Sequence, residues 1–487
     1  MSTFYGLEIS GRGLFASQKA LDITGHNIAN ANTEGYARQS PVFRAVTSTG
    51  NTGLLSYSTG IRAGGGVEIQ ELRQIRDTFL DIQYRQENRS LQEWTVRTDV
   101  LSYVESIYNE PSEIGLNQNM TEFFNALQEL SKYPESVEVR TLVRQQGIKL
   151  TEVVKHLRSQ LIQLQGQQDD SIQITVGQIN NLAENIRDLN AQIQKFELGG
   201  ERANDLRDQR NLLLDELSGL INFSYSEDAN GRFRIDINGY PLVNHTEVNL
   251  LQTESVLSNP VGSEHLSRII WKDTQQEVVI KGGKLKAYLD MRDGITPDNA
   301  GIPFFIQQLD NFTKALVQEI NYQHQQGYSI PNEGQASESG HVFFSFKGFE
   351  QPADWDSWTL EQQNQYIVDH VTAENITLDS RILSSVYNIA ASSEEIPDTP
   401  DNNGWGNNLN ALAMAGINSK KDIEITLDGS RVRIGSLEGF TKKLISDIAV
   451  EVSYASGIME GQNVLAVSID NRRSAVSGVS LDEEMAR

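Results

Sequence analysis

Leu7, Leu14, Leu21 and Ile28 recur at a step of seven residues, and Ile9, Ala16 and Ile23 recur beside them at the same step. A seven-residue apolar repeat draws one narrow stripe along a helix, the pattern of a seam that meets another helix. Gly6, Gly11, Gly13 and Gly25 lie inside the same stretch. Each costs a helix about 1 kcal/mol relative to alanine, so the segment makes a weak helix alone and a good one against a partner. Its exit is Asn27-Ile28-Ala29-Asn30-Ala31-Asn32-Thr33-Glu34-Gly35-Tyr36. Asn and Gly tolerate left-handed backbone, so this run predicts a tightly bonded turn that ends the helix.

At 487 residues the chain is too long for one core, and proline placement divides it. No proline lies between Pro134 and Pro241 or after Pro400, and eight of the eleven fall from 241 to 400. Proline breaks helix interiors, so the early and late parts read as helical and the middle as sheet and loops. Ile172, Val176, Ile179, Leu182, Ile186, Leu189 and Ile193 step close to the coiled-coil period before Gly199-Gly200 breaks the chain. Phe233, Ile235 and Ile237 alternate with charged residues between Asn230-Gly231 and Asn238-Gly239, which predicts a half-buried strand between tight turns. Ile269-Ile270-Trp271 and Glu277 to Ile280 read as a further hairpin. Gly457 and Gly461 suggest a break between two late helices.

The expected fold is mainly α with a β-rich inserted region. It is an elongated multidomain chain, in which terminal helices and a helical-bundle or coiled-coil domain carry a protruding β lobe. Residues 1–40 form the stripe helix and its turn, and 41–70, rich in Gly, Ser and Thr, an extended connector. Residues 71–221 form the N-terminal part of the helical domain, 222–283 the β-rich lobe and 284–330 a helical return. Residues 331–408 form an exposed irregular lobe with a small core of its own, and 409–487 the C-terminal part of the helical domain.

The formal net charge of −24 repels phosphate backbones and anionic membrane. The absence of cysteine excludes disulfide frameworks, thiol catalysis and thiolate zinc sites. No window approaches 18 apolar residues, and Glu8, Arg12, Lys19 and Asp22 interrupt any apolar signal-peptide core. His26, His156, His245, His265, His324, His341 and His370 include no pair at metal-ligand spacing, and read as surface or capping residues. Gly64-Gly65-Gly66 lacks the Lys-Ser/Thr pair of a phosphate loop. Glu110 and Glu113 flank Pro111 and read as solvated loop charges; two acids that cleave a glycosidic bond must stand about 5 to 9.5 Å apart. Trp355, Trp358 and Trp405 read as lobe core before sugar binding. No catalytic, cofactor-binding or metal residue is assigned, and an enzyme is not expected.

The run Leu21-Asp22-Ile23-Thr24-Gly25-His26 through Tyr36 resembles the N-terminal signature of the bacterial flagellar axial proteins: rod, hook and hook-associated proteins. Four further segments resemble the hook-associated branch that joins hook to filament: Arg76 to Arg85, Asp205 to Ser218, Gly282 to Asp293, and Ser474 to Glu484. The resemblance implies a structural protein that forms a homo-oligomeric junction ring and touches the hook protein below and a second junction protein on the filament side. It also implies export through the flagellum's own channel without a cleaved signal peptide, an export chaperone, and a place outside the cell. It puts assembly contacts on the seam Leu7, Leu14, Leu21 and Ile28, and the signature turn on Asn27, Asn30, Asn32, Gly35 and Tyr36. The resemblance leads one to expect a further long helix after the final motif, so the chain, which stops at Met485-Ala486-Arg487, is expected to be C-terminally shortened. On that expectation the seam lacks its partner within the chain: either the sequence is truncated or a neighbouring subunit covers the stripe. Hook or distal-rod proteins are the nearest alternative but should lack the helical stretch 71–221. A secreted hydrolase or adhesin on an axial scaffold is the alternative from another class.

Overall fold

The computed structural model describes residues 3–46, 64–108, 115–257, 261–263, 265–331, 336–397, 404–427 and 430–486. The middle of the expected connector and the Glu110/Glu113 pair lie outside the described residues. Helix α1 (Thr3–Ala29) leads through the Asn-rich turn into β1 (Gln39–Ala45), which pairs antiparallel with β2 (Val67–Gln74). The two ends of the connector are thus joined as a ribbon. Val67 and Ile69 lie opposite Ala45 and Phe43, and a bulge sits at Val42/Phe43.

Four helices follow: α2 (Thr78–Tyr108), α3 (Leu116–Lys132), α4 (Val137–Glu197) and α5 (Asn204–Leu220). At 61 residues α4 is about 90 Å long, and it serves two apolar cores in turn. Val143, Leu150, Val154 and Leu161 enter the first; Ile172, Val176, Ile179 and Ile186 enter the second. The second core is closed by α5 and by a four-stranded antiparallel sheet of β3 (Ser224–Glu227), β4 (Phe233–Ile237), β5 (Tyr240–Asn244) and β6 (Glu247–Val248). Phe233, Ile235 and Ile237 of β4 are buried, and Asn238 (φ 50°) and Gly239 (φ 88°) turn the chain into β5.

Beside that sheet lies a second ribbon, β7 (Leu251–Leu257) with β8 (His265–Trp271). The hairpin expected between 269–271 and 277–280 forms over a short stretch: Trp271 N–H bonds the Gln276 carbonyl, Val278 N–H bonds the Ile269 carbonyl and Ile270 bridges Glu277, while on its other edge β8 pairs with β7 over seven residues. The long ladder goes to β7, which matches β8 over seven residues. Helix α6 (Lys284–Asp293), the short pair β9 (Ile295–Thr296) and β10 (Asn299–Ala300), and α7 (Ile302–Gln325) return the chain to the first core.

The stretch 331–408 differs from its expected form. It contains β11 (Phe344–Phe346), α8 (Leu360–His370), β12 (Ile376–Leu378) and α9 (Ser380–Ser384). Its apolar side chains do not form a separate core. Phe343 and Phe344 are fully buried, with ring centroids 5.7 and 5.8 Å from Phe123 of α3. Arg140 binds the same region to the start of α4. Its guanidinium is fully buried and donates to the carbonyls of Pro134 (2.7 Å), Val386 (3.3 Å) and Ile389 (2.7 Å). Burial without a carboxylate partner pulls its pKa down to about 10, so it stays charged at neutral pH. Trp355 is buried against Phe349 and Trp358, within this core.

Helix α10 (Leu409–Gly416) and the hairpin β13 (Ile423–Leu427) with β14 (Ser430–Gly435) precede α11 (Leu437–Ser477) and α12 (Leu481–Ala486). The break expected at Gly457 and Gly461 is absent: α11 is continuous over 41 residues. Two interior glycines cost about 2 kcal/mol. The helix lies along α2, with Arg473 4.1 Å over the Tyr84 ring and Tyr454 edge-on to Trp94 at 5.9 Å, so the two run antiparallel. Leu444, Ile448, Ala455 and Ala466 are buried by that packing, which outweighs the glycines.

Candidate functional site

The seam and the turn meet at one place. Along α1, Ile9, Ala16 and Ile23 face the β1–β2 ribbon, and Ala16 is buried. The other repeat points away: Leu7, Leu14 and Leu21 are 72, 69 and 63 % exposed, and only Ile28, beside the turn, is half-buried. Phe15 extends this outward apolar face. The two heptad series therefore have separate surfaces, one used within the chain and one turned to solvent.

The turn is built around Asn27, which is 1 % exposed. Its amide donates to the Gln39 carbonyl (2.9 Å) and to Glu484 Oε2 (3.0 Å). Its Oδ1 accepts from the Gln39 amide N–H (3.0 Å) and the Tyr36 hydroxyl (2.8 Å). One side chain thus ties the end of α1 to β1, to the turn and to α12. Asn30 donates to the His26 carbonyl (3.0 Å) and holds Thr33 Oγ1 (3.2 Å), satisfying groups left open at the helix end. Gly35 has φ +77°, and a Cβ there would stand 3.3 Å from Leu212, so the turn needs glycine on both counts. Asn32 is exposed and lines a cleft of about 960 Å³ between the turn, α2, α5 and the end of α11.

Around the turn lies a knot of arginines and carboxylates, most of them from the segments Arg76–Arg85, Asp205–Ser218 and Ser474–Glu484 that carried the resemblance, though no pairing among them was read from the sequence. Asp208 on α5 accepts from the Ala37 N–H (3.0 Å) and from Arg76 (3.2 Å), which also grips Asp81 (2.6 Å). Gln39 donates to Asp205 (2.6 Å), and Asn204 donates to the Leu72 carbonyl (3.0 Å). Arg38 pairs with Glu483 (3.1 Å), while Arg473 contacts Asp215, which also binds Arg85 (2.6 Å). Burial pushes the Asp208 carboxyl up to about 6 against the pull of Arg76 and the Ala37 N–H. Burial and the neighbouring Asp205 likewise raise the Tyr36 hydroxyl above its ordinary range. The available signal was local: Asp205, Asp208 and Asp215 fall on one face of α5 opposite the buried Leu214 and Leu217.

Two histidines depart from the surface reading. His324 is fully buried: Nδ1 bonds the His341 carbonyl (2.7 Å) and Nε2 accepts from the Ala390 N–H (2.9 Å). His341, 9 % exposed, contacts Glu338 and Arg381. Both stitch the 336–392 segment to α7. Among the described residues no group of three His, Asp or Glu side chains could hold a metal, and no helix is long and apolar enough to cross a membrane. The knot's carboxylates are occupied by arginines and backbone N–H groups, an arrangement suited to holding chain segments together.

Two family models match the chain. The model described as the flagellar hook-associated protein FlgK helical domain covers residues 101–344, and the flagella basal body rod protein model covers residues 7–36. Flagellar hook-associated protein 1 of Bacillus subtilis (strain 168) is 29% identical, over 99% of this chain and 92% of that protein. The protein of the same name from Escherichia coli (strain K12) is 24% identical over 97% and 92%. A solved structure, the flagellar hook junction protein FlgK from Burkholderia pseudomallei, superimposes with a TM-score of 0.61 at 14% identity, covering 82% of this chain and 100% of that one. That likeness concerns the fold.

Proposed function

The chain belongs to the flagellar hook-associated protein family defined by the FlgK helical domain, and from that premise we propose that it is the structural protein that joins hook to filament and lets the filament assemble. The observation that carries this reading is the order of the two matches: an axial-protein signature at residues 7–36 followed by the hook-associated helical domain at 101–344, in a chain that aligns with relatives over almost its full length. The work is mechanical, with neither substrate nor cofactor. Copies form a ring that contacts the hook protein on one side and a second junction protein on the other. The exposed stripe of Leu7, Leu14 and Leu21 is the seam for another helix of the assembly, since a heptad stripe fixes register between helices. Export proceeds through the flagellum's own channel without a cleaved signal peptide, with the help of a chaperone, and the protein works outside the cell.

The test is complementation of a strain that lacks the gene, scored by motility and electron microscopy. The reading expects hooks without filaments in the deletion, filaments restored by the wild-type chain, and failure of a Leu14→Glu/Leu21→Glu double variant that still folds. Normal filaments in the deletion would overturn the junction role. The charge of −24 adds a second expectation: free subunits repel one another, and assembly onto isolated hooks rises with added salt as screening grows. Docking that is indifferent to ionic strength would refute the charge argument.

A further inference from the structure

The two apolar cores contain no residue of α1, β1, β2 or α12. What holds these elements to one another is their own packing: α1 lies on the ribbon, and Asn27 anchors α12 through Glu484. What holds them to the helical body is polar. Bonds across the joint include Ala37 N–H to Asp208, Gln39 to Asp205, Asn204 to the Leu72 carbonyl and to Gln39 Oε1, Gln74 to the Asn204 carbonyl, Arg76 to Asp208, and the Arg38 N–H to the Ser477 carbonyl (2.8 Å). Leu212 of α5 packs under Gly35 at the same place.

We propose that α1, the β1–β2 ribbon and α12 form one rigid unit that turns against the helical body at this joint, and that the buried carboxylate of Asp208 sets how firmly the joint is held. The chain crosses the joint at two points, near residues 74–77 and 477–480, and the two apolar cores lie wholly on the body side of it. Opening hydrates Asp208, which is 4 % exposed when the joint is closed.

The direction of the pH effect follows from the groups around Asp208. Arg76 faces it from the ribbon's exit, Gln74 from β2, Tyr36 from the turn, and Asp205 from its own helix. Asp81 and Asp215 stand behind Arg76, and Arg473 bridges those two. Arg76 and the Ala37 N–H favour the ionised form, but burial and Asp205 oppose it. In the open state the carboxyl titrates at the ordinary 3.8; in the closed state it titrates near 6. The closed joint therefore binds the proton more tightly, so protonation tightens the joint and rising pH loosens it. Linkage between these two values gives about a tenfold increase in the open-to-closed ratio between pH 5 and pH 8. His26 Nε2 is 3.6 Å from Asp205 across the same joint, so its part is separated from that of Asp208 by a variant of its own.

The chain has no cysteine, so spin labels can be placed freely and read by double electron–electron resonance on the whole protein. Ser17→Cys with Ser102→Cys spans the joint, Ser17→Cys with Glu71→Cys lies within the unit, and all three positions are exposed. The expected result is a cross-joint distance that is narrow at pH 5 and gains a second population at pH 8, with the within-unit distance narrow at both. Asp208→Asn should make the cross-joint distribution independent of pH, and His26→Ala should leave the pH dependence in place. A wild-type cross-joint distance unchanged from pH 5 to pH 8 overturns the proposal. So does loss of the within-unit distance together with the cross-joint one, because the elements would then be unravelling instead of turning. If His26→Ala abolishes the dependence, or Asp208→Asn preserves it, Asp208 is not the controlling group.

Discussion

Asn27→Ala removes one small side chain and with it four hydrogen bonds that join α1, the turn, β1 and α12. A buried neutral hydrogen bond contributes about 1 kcal/mol net, and one to a charged group about 1.5 to 3. Three neutral bonds and one to Glu484 therefore amount to about 5 kcal/mol. The joint lies beside an open cleft, so water can reach some of the released groups, which reduces the loss to about 3 kcal/mol. The effect should be local, because Asn27 touches neither apolar core. Hydrogen–deuterium exchange should rise by roughly two orders of magnitude in the ribbon and turn, residues 30–45 and 67–77, while α4 and α7 keep their protection. Asn27→Asp should be no milder, since it sets a second carboxylate against the buried one of Glu484. Unchanged exchange in the ribbon, or equal acceleration throughout the chain, would refute the view that this side chain ties together a unit distinct from the cores.

Gly283 has φ +87°, and a Cβ there would stand 2.7 Å from the Leu220 carbonyl group. Gly283→Ala should thus cost more than about 2 kcal/mol in urea unfolding, with no comparable loss for Gly457→Ala, which meets open space. Phe123→Ala should cost about 3 to 5 kcal/mol and loosen the 336–397 segment, because Phe343 and Phe344 rest on that ring. His324 is held neutral by burial, its pKa pushed down from 6.5 to about 4. The unfolded chain takes up that proton below pH 6.5 and the folded one only near 4, so stability should fall by about 3 kcal/mol as pH drops between these values. Urea midpoints at pH 7 and pH 4.5 should show the drop in the wild type and a smaller one in His324→Gln.

The helices were readable because amphipathic periodicity is local: each turn of α4 records in its own residues which side is apolar. The same holds for β4, where Phe233, Ile235 and Ile237 alternate between two Asn-Gly turns. Pairing was less readable. The run 269–271 is compatible with strands on either side, and only the assembled sheet shows that it takes both, the long ladder with β7 and a short one with 276–278. Gly457 and Gly461 signal a break by propensity, but packing on α2 supplies more than the glycines cost. Phe343 and Phe344 look like the core of a separate lobe until α3 brings Phe123 against both of them. His324 carries no local sign of burial at all. At the joint the division is plainest. The sequence alone determined a stripe helix that needs a partner and an Asn-rich exit that turns the chain. Only the tertiary structure decided that Asn27 would meet Glu484 from 457 positions away, and Asp208 the Ala37 N–H from 171. Charge pairing has no period along a chain: a carboxylate's partner is set by where the folded helices place it, and that is settled by the packing of every residue between.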